Sequence, residues 1–309
     1  MTSTLDESPP PTGSLVRPSG RKRPRGGGLW GYSFPAAFWY ALFTVGPLFA
    51  MFYLSTQSWP GLLSDQEWVG LDNFRRMWDD PLFWRAARNT GKQLIVAIPV
   101  MIPLSFMLGY YLTLKPRGHR LLRVLFFTPG LISITAKSMV FFAMFAPNGG
   151  VNGVLDAVGL EELTRSWTAN PSTALWTIVA VDLWSGIGWT AVLFAARLAS
   201  VPDEVYEAAS LDGAGHMRMM YSVAYPMAKD FVGVMTMLQF LWTMFNSAAI
   251  VLLLTDGGPA GRSTTLSYYV YERAFIAQQV GYSQAIGVVL LVLGIVGLVV
   301  IRRLIRQDF

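Results

Sequence analysis

Two charged side chains lie where charge is costly. Lys137 and Asp182 each sit deep in an apolar run, and placing either in a bilayer core costs about 2.5–3.5 kcal/mol on insertion scales. Counted as straight helices at 1.5 Å per residue, they lie about 21 and 22 Å from the flanking Arg123 and Arg197. Matched depths allow Lys137 and Asp182 to form an ion pair that offsets their burial. The alternative is that each separately meets water in a cavity.

A second polar group is uncharged. Thr236, Gln239, Thr243 and Asn246 recur at i, i+3, i+7 and i+10 and therefore share one helix face. Such residues in an apolar helix face the bundle or a water-filled cavity. Lining a pathway is one use; helix–helix hydrogen bonds of about 1 kcal/mol are the plainer one. Hydroxyls and amides without charge suit a neutral, hydroxyl-rich solute better than a phosphate or an amino acid. Trp242, beside the stripe, either stacks on a sugar ring or packs as core.

Other chemistries find no support. The chain has no cysteine, which removes disulfides, thiolate nucleophiles and Cys-ligated metals. His119 and His216 are far apart in basic loops, so no metal site is expected. Gly257-Gly258-Pro259-Ala260-Gly261-Arg262-Ser263 has neither the spacing nor the lysine of a phosphate-cradling loop. No catalytic residue and no cofactor is expected in this chain.

The elements that position these residues follow from composition. Of 309 residues, 53% are hydrophobic and only 14% charged, against about 25% in a soluble domain. Runs at about 34–54, 93–114, 124–146, 174–196, 231–254 and 286–305 match the roughly 20 residues of a bilayer-spanning helix. The fold expected is all-α, a polytopic membrane protein of six spans occupying 29–309, preceded by a disordered basic tail over 1–28. The net charge of +5 reads as cytoplasmic retention of Lys and Arg rather than nucleic-acid binding. Arg17, Arg21, Lys22, Arg23 and Arg25 before the first run, Lys115, Arg117, Arg120 and Arg123 after the second, and Arg302, Arg303 and Arg306 at the end place both termini in the cytoplasm.

The loop over 199–228 is then cytoplasmic and longer than a turn requires. Pro202 suits a first helical turn and Asp203 and Glu204 complement its dipole. Val205, Ala208, Ala209 and Asp212 fall on one face, and Gly213 and Gly215 end the helix. The result is either an ordinary surface helix or one shaped for close approach by another subunit.

Glu207-Ala208-Ala209-Ser210-Leu211-Asp212-Gly213 with Val223 and Pro226 resembles the signature loop of ABC importer permeases. Tyr225 departs from the leucine usual there. Trp68-Val69-Gly70-Leu71-Asp72-Asn73-Phe74, Asn89-Thr90, Arg123 with Pro129, Gly150-Val151-Asn152 and Leu254-Thr255-Asp256-Gly257-Gly258-Pro259 resemble segments of the carbohydrate-uptake group, of the maltose or glycerol-phosphate type.

The resemblance implies a permease in a bacterial plasma membrane, paired with a second homologous permease as a heterodimer. It implies two ATPase subunits that bind ATP and Mg, and an extracellular solute-binding protein that delivers a sugar. It makes Glu207, Ala208, Ala209, Asp212, Gly213 and Pro226 the ATPase-coupling set, on a coupling helix between the fourth and fifth spans. Thr236, Gln239, Trp242, Thr243 and Asn246 become the substrate pathway. A non-sugar solute such as glycerol-phosphate, a secondary transporter and a membrane enzyme are the competing readings.

Overall fold

The computed structural model describes residues 29–61 and 64–305. The expected tail over 1–28 and Arg306 lie outside the described residues. Two compact units divide after Leu48. The first contains α1 (Leu29–Tyr40), a π-helical turn (Ala41–Val45) and the start of α2 (Gly46–Ser55). Its Phe34, Phe38 and Phe43 are exposed, as lipid-facing side chains would be.

The second unit holds the remaining elements. A two-residue hairpin pairs β1 (Gln57–Ser58) with β2 (Glu67–Trp68), antiparallel. Then follow α3 (Asp72–Asp79), α4 (Pro81–Thr113), α5 (His119–Leu131), α6 (Ile134–Met144), α7 (Gly150–Ala157), α8 (Ala174–Leu198), α9 (Asp203–Leu211), α10 (His216–Met219), α11 (Tyr225–Asn246), α12 (Ala248–Leu254), α13 (Leu266–Tyr271) and α14 (Val280–Leu304).

Among the described residues, four helical stretches are long and apolar enough to cross a membrane: Ser33–Ser55, α4, α8 and α14. Two bent pairs raise this to as many as six if each is one span. These bends correct the expectation of straight third and fifth runs. α5 and α6 meet at 96°, where Pro129 withholds an amide and Ser133 starts a new helix by accepting from the Ala136 amide at 3.2 Å. The helix from His216 bends by 53° at Ser247 before α12; Ser247 is buried there between the Thr265 and Ser267 hydroxyls, at 3.0 and 2.8 Å.

Two boundaries also move. α4 begins at Pro81, far ahead of the expected residue 93, because Asp80 caps it through the Leu82 amide at 2.8 Å and Pro81 suits the first position. The expected connection over 199–228 is loop only in part. From His216 the chain is already helical and runs without a break to Asn246, with a π-helical turn at Met220–Ala224 just ahead of Pro226. That turn accommodates a proline, which lacks the N–H and crowds the preceding carbonyls.

Small residues bring the helices together, as in membrane bundles generally. A side chain at Gly109 of α4 would meet Phe194 Cβ of α8 at 2.6 Å. Gly188 of α8 lies directly against the Phe126 carbonyl of α5. Because that neighbour is backbone, it cannot swing aside. Gly188→Leu should therefore part α5 from α8 and sharply reduce the monodisperse fraction on size-exclusion chromatography. Gly153→Leu, at a position where an added Cβ meets nothing within 4 Å, should not.

Candidate functional site

The first candidate region is a cavity of about 350 Å³. α5 and α6 contribute Gly130 and Lys137, α8 contributes Asp182, Ser185 and Trp189, and α11 contributes Gln239 and Trp242. The cavity therefore forms beside the break between α5 and α6. Lys137 belongs to the first turns of α6 rather than lying far along a straight helix, so its depth counted from Arg123 does not hold.

Of the two readings of the buried charges, the ion pair is not formed as a direct contact: no salt bridge within 4 Å joins Lys137 to Asp182 among the described residues. Asp182 is instead engaged by α11. Its Oδ2 accepts from Gln239 Nε2 at 3.2 Å and its Oδ1 from Trp242 Nε1 at 3.1 Å. The two charges line the same cavity, both buried. The site thus offers a carboxylate held by two donors, an ammonium and two indole rings around a concavity whose remaining lining is largely apolar.

The polar stripe divides. Gln239 lines the cavity and also donates to Thr243 Oγ1 at 3.3 Å. Thr243 is fully buried. Thr236 returns its hydroxyl to the Val232 carbonyl at 2.8 Å. Asn246 is exposed at the end of α11, just before the bend. Trp242 engages Asp182 through its N–H, a role that spacing alone does not reveal.

The second candidate region is α9, which has no buried residue. Pro202 caps it rather than occupying its first turn. Tyr206 packs on the core of α4, α8 and α11, while Glu207 and Ala208 are exposed and Leu211 is 90% exposed. Asp212 follows, also exposed, and Gly213 takes φ +76°. The Ala214 amide donates to the Ala209 carbonyl and the Gly213 amide to the Ser210 carbonyl, each at 3.0 Å. This is a Schellman turn, which glycine in a left-handed conformation closes without strain. Pro226 lies apart from α9, in the first turn of α11.

Segments far apart in sequence meet near the start of α4. Asn73 Nδ2 donates to the Ser55 and Gln57 carbonyls at 2.9 and 2.8 Å. Asn89 Nδ2 reaches the Arg262 and Thr264 carbonyls at 3.0 and 2.9 Å, and Thr90 Oγ1 accepts from the Leu266 amide at 2.9 Å. Asn152 ties Pro147, Arg165 and Trp167 together. These asparagines are fasteners for irregular backbone rather than pathway residues.

Sequence reading did not single out Asp80. Its Oδ2 accepts from the Tyr269 hydroxyl and from Tyr282 at 2.6 Å, joining α4 to α13 and α14. Burial by itself would raise this carboxyl; hydrogen bonds from Tyr269, Tyr282 and the Leu82 amide, with the Arg273 charge, more than offset it and hold it below its ordinary value. A depressed folded-state pKa means that the stabilisation is complete above the ordinary value of 3.8 and disappears as pH falls through the lowered one. Thermal unfolding in detergent should show an acid loss below about pH 4 that Asp80→Asn flattens. An unchanged acid limb in that variant would assign the loss to other groups.

The model of the family described as binding-protein-dependent transport system inner membrane component matches residues 101–307. A probable ABC transporter permease, YurN of Bacillus subtilis (strain 168), is 33% identical over 259 residues, which are 82% of this chain and 88% of that protein. The diacetylchitobiose uptake system permease NgcF of Streptomyces coelicolor (strain ATCC BAA-471 / A3(2) / M145) is 30% identical over 264 residues, 81% of this chain and 74% of that one. A chain in the crystal structure of a bacterial alginate ABC transporter, in complex with alginate pentasaccharide-bound periplasmic protein, superposes with a TM-score of 0.79 at 19% identity, covering 90% of this chain and 93% of that chain; it speaks to the fold alone. Helices fit to cross a membrane, a cavity among them lined by Lys137, Asp182 and Gln239, and a match over two-thirds of the sequence converge, and the chain belongs to the ABC transporter permeases of the binding-protein-dependent inner membrane component family.

Proposed function

We propose that this chain forms half of the pathway by which a binding-protein-dependent ABC importer takes up a sugar, mono- or oligosaccharide. In this reading each bent helix pair is one span, giving six, with both termini in the cytoplasm. A second homologous permease completes the pathway as a heterodimer. A solute-binding protein delivers the sugar outside, and two ATPase subunits supply energy, holding ATP and Mg themselves. α9 is the coupling helix, with Glu207, Ala208, Ala209, Asp212 and Gly213 facing an ATPase and Pro226 setting the base of the next helix.

The observation that carries this reading is that α9, a short helix outside the candidate spans, buries none of its residues and ends in a nearly fully exposed Leu211. Contact with a partner surface would take that apolar side chain out of water. For substrate, support comes from Asp182, Gln239 and Trp242 around one cavity, since paired acceptors and donors with an indole face suit vicinal hydroxyls, and from the relative named for diacetylchitobiose uptake. Lys137 in the same cavity favours one second reading, a phosphate-bearing solute such as glycerol-phosphate. Competition of uptake by neutral sugars against glycerol-phosphate separates the two.

The absence of native cysteine makes the docking test simple. Leu211→Cys should cross-link to the co-purified ATPase with a short bifunctional thiol reagent, and Leu160→Cys should not. Equal labelling of the ATPase from both positions would refute the docking assignment.

A further inference from the structure

A second cavity, of about 370 Å³, lies between the first turns of α4, the start of α8 and the loop before α13. Its charged lining is entirely cationic: Arg85, Arg88, Lys92 and Arg262. None of the four has a carboxylate within 4 Å among the described residues. The backbone around them is pinned. Arg85 donates to the Ala260 carbonyl at 2.5 Å, and Asn89 holds the carbonyls on either side of the Arg262 side chain. Four like charges gathered without counter-charge repel one another, and an anion in the cavity would relieve that repulsion.

What continues from the cavity narrows the choice of anion. Trp84, Arg88, Lys92, Ile95 and Pro99 fall at i, i+4, i+8, i+11 and i+15 on one face of α4, and all five are exposed. Ile95 is 74% exposed, only about 5 Å along the axis from Lys92 at 1.5 Å per residue. Across the groove, Trp176 of α8 lines the cavity and is exposed, as is Ala180 one turn on. On α4 the exposed face passes from Trp84 through the cations Arg88 and Lys92 to Ile95 and Pro99, with Trp176 beside the cations across the groove; a lipid would set its headgroup among the cationic and aromatic side chains and its acyl chain on the aliphatic ones. A free anion would use only the top of this groove, and an acidic protein surface would have no use for its apolar continuation.

We propose that the groove binds a phospholipid with an anionic headgroup. Arg88, Lys92 and Arg262 hold the phosphate and the net negative charge, and an acyl chain lies along Ile95 and Pro99.

Native mass spectrometry of the purified assembly tests it, after delipidation and incubation with phosphatidylglycerol or phosphatidylcholine of the same chains. Phosphatidylglycerol should be retained at roughly tenfold lower concentration or better, and each of Arg88→Gln, Lys92→Gln and Arg262→Gln should weaken retention roughly fivefold. Arg117→Gln, at an exposed cation beyond the other end of α4, should have no effect, and Lys92→Arg should retain the lipid. Equal retention of both lipids, or equal loss with Arg117→Gln, would mean ordinary annular lipid and overturn the proposal. Displacement of the lipid by millimolar inorganic phosphate would also overturn it, in favour of a soluble-anion site. Should the three variants keep phosphatidylglycerol yet lose stimulation by the solute-binding protein, the cations serve a protein partner and the proposal is wrong.

Discussion

Uptake and substrate-stimulated ATP hydrolysis should fall together in a Gly213→Val variant, with ATPase subunits partly released during purification. Gly213 holds φ +76°, a region that costs an L-residue about 1–2 kcal/mol and a β-branched one more. The Schellman turn would open, and α9 would lose the bonds that end it at Leu211. An added Cβ meets nothing within 4 Å, so the spans keep their packing and folded yield should stay near normal. Gly213→Asn, which tolerates the left-handed region, should retain most activity. A valine variant that keeps its ATPase and transports normally would remove the docking reading. An asparagine variant as damaged as valine would place the defect in side-chain volume rather than backbone.

Asp182→Ala should damage folding more than any change confined to the polar stripe. It strands the Trp242 indole N–H and one of the two Gln239 amide hydrogens, the other keeping Thr243 Oγ1, and removes the carboxylate that shares the cavity with Lys137. Each buried donor left unsatisfied costs about 1–3 kcal/mol, together a large part of a typical stability of about 5–15 kcal/mol. Asp182→Asn keeps one acceptor oxygen and should fall between. Because the carboxylate is bonded to α11 and not to Lys137, Lys137→Met alone should cost less than Asp182→Ala. The double variant Lys137→Met with Asp182→Asn should recover part of the loss on size-exclusion chromatography. Strictly additive losses would show that the two charges do not interact across the cavity.

Part of this was legible in residue order. The end of α9 at Gly213 follows from glycine's conformational freedom, and the apolar runs mark where membrane helices lie, because both properties belong to local sequence. The breaks at Leu131–Ile134 and at Ser247 are hidden because apolar composition continues through them; Pro129 and Ser133 were the available signals for the first. The early start of α4 was missed because residues 81–92 are too polar to read as part of a span, although Asp80 followed by Pro81 is a helix-start pattern. Partners distant in sequence were beyond reach. Nothing near Asp80 announces Tyr269 and Tyr282, and nothing near Asp182 announces Trp242. Of the two readings of Lys137 and Asp182, direct pairing was not decidable from sequence: equal depth along two helices does not fix the direction in which the side chains point.

The unbroken helix from His216 to Asn246 is a mechanical object as well as a span. Gln239 lies about 35 Å along it from His216 at 1.5 Å per residue, and His216 follows α9 after a few residues. A rod of that length pivoting at its base by about 5° carries Gln239 sideways by about 3 Å, comparable with the 3.2 Å separating its Nε2 from Asp182. An angular change at the foot too small to disturb local packing is therefore enough, by leverage alone, to make or break the hydrogen bonds that shape the cavity.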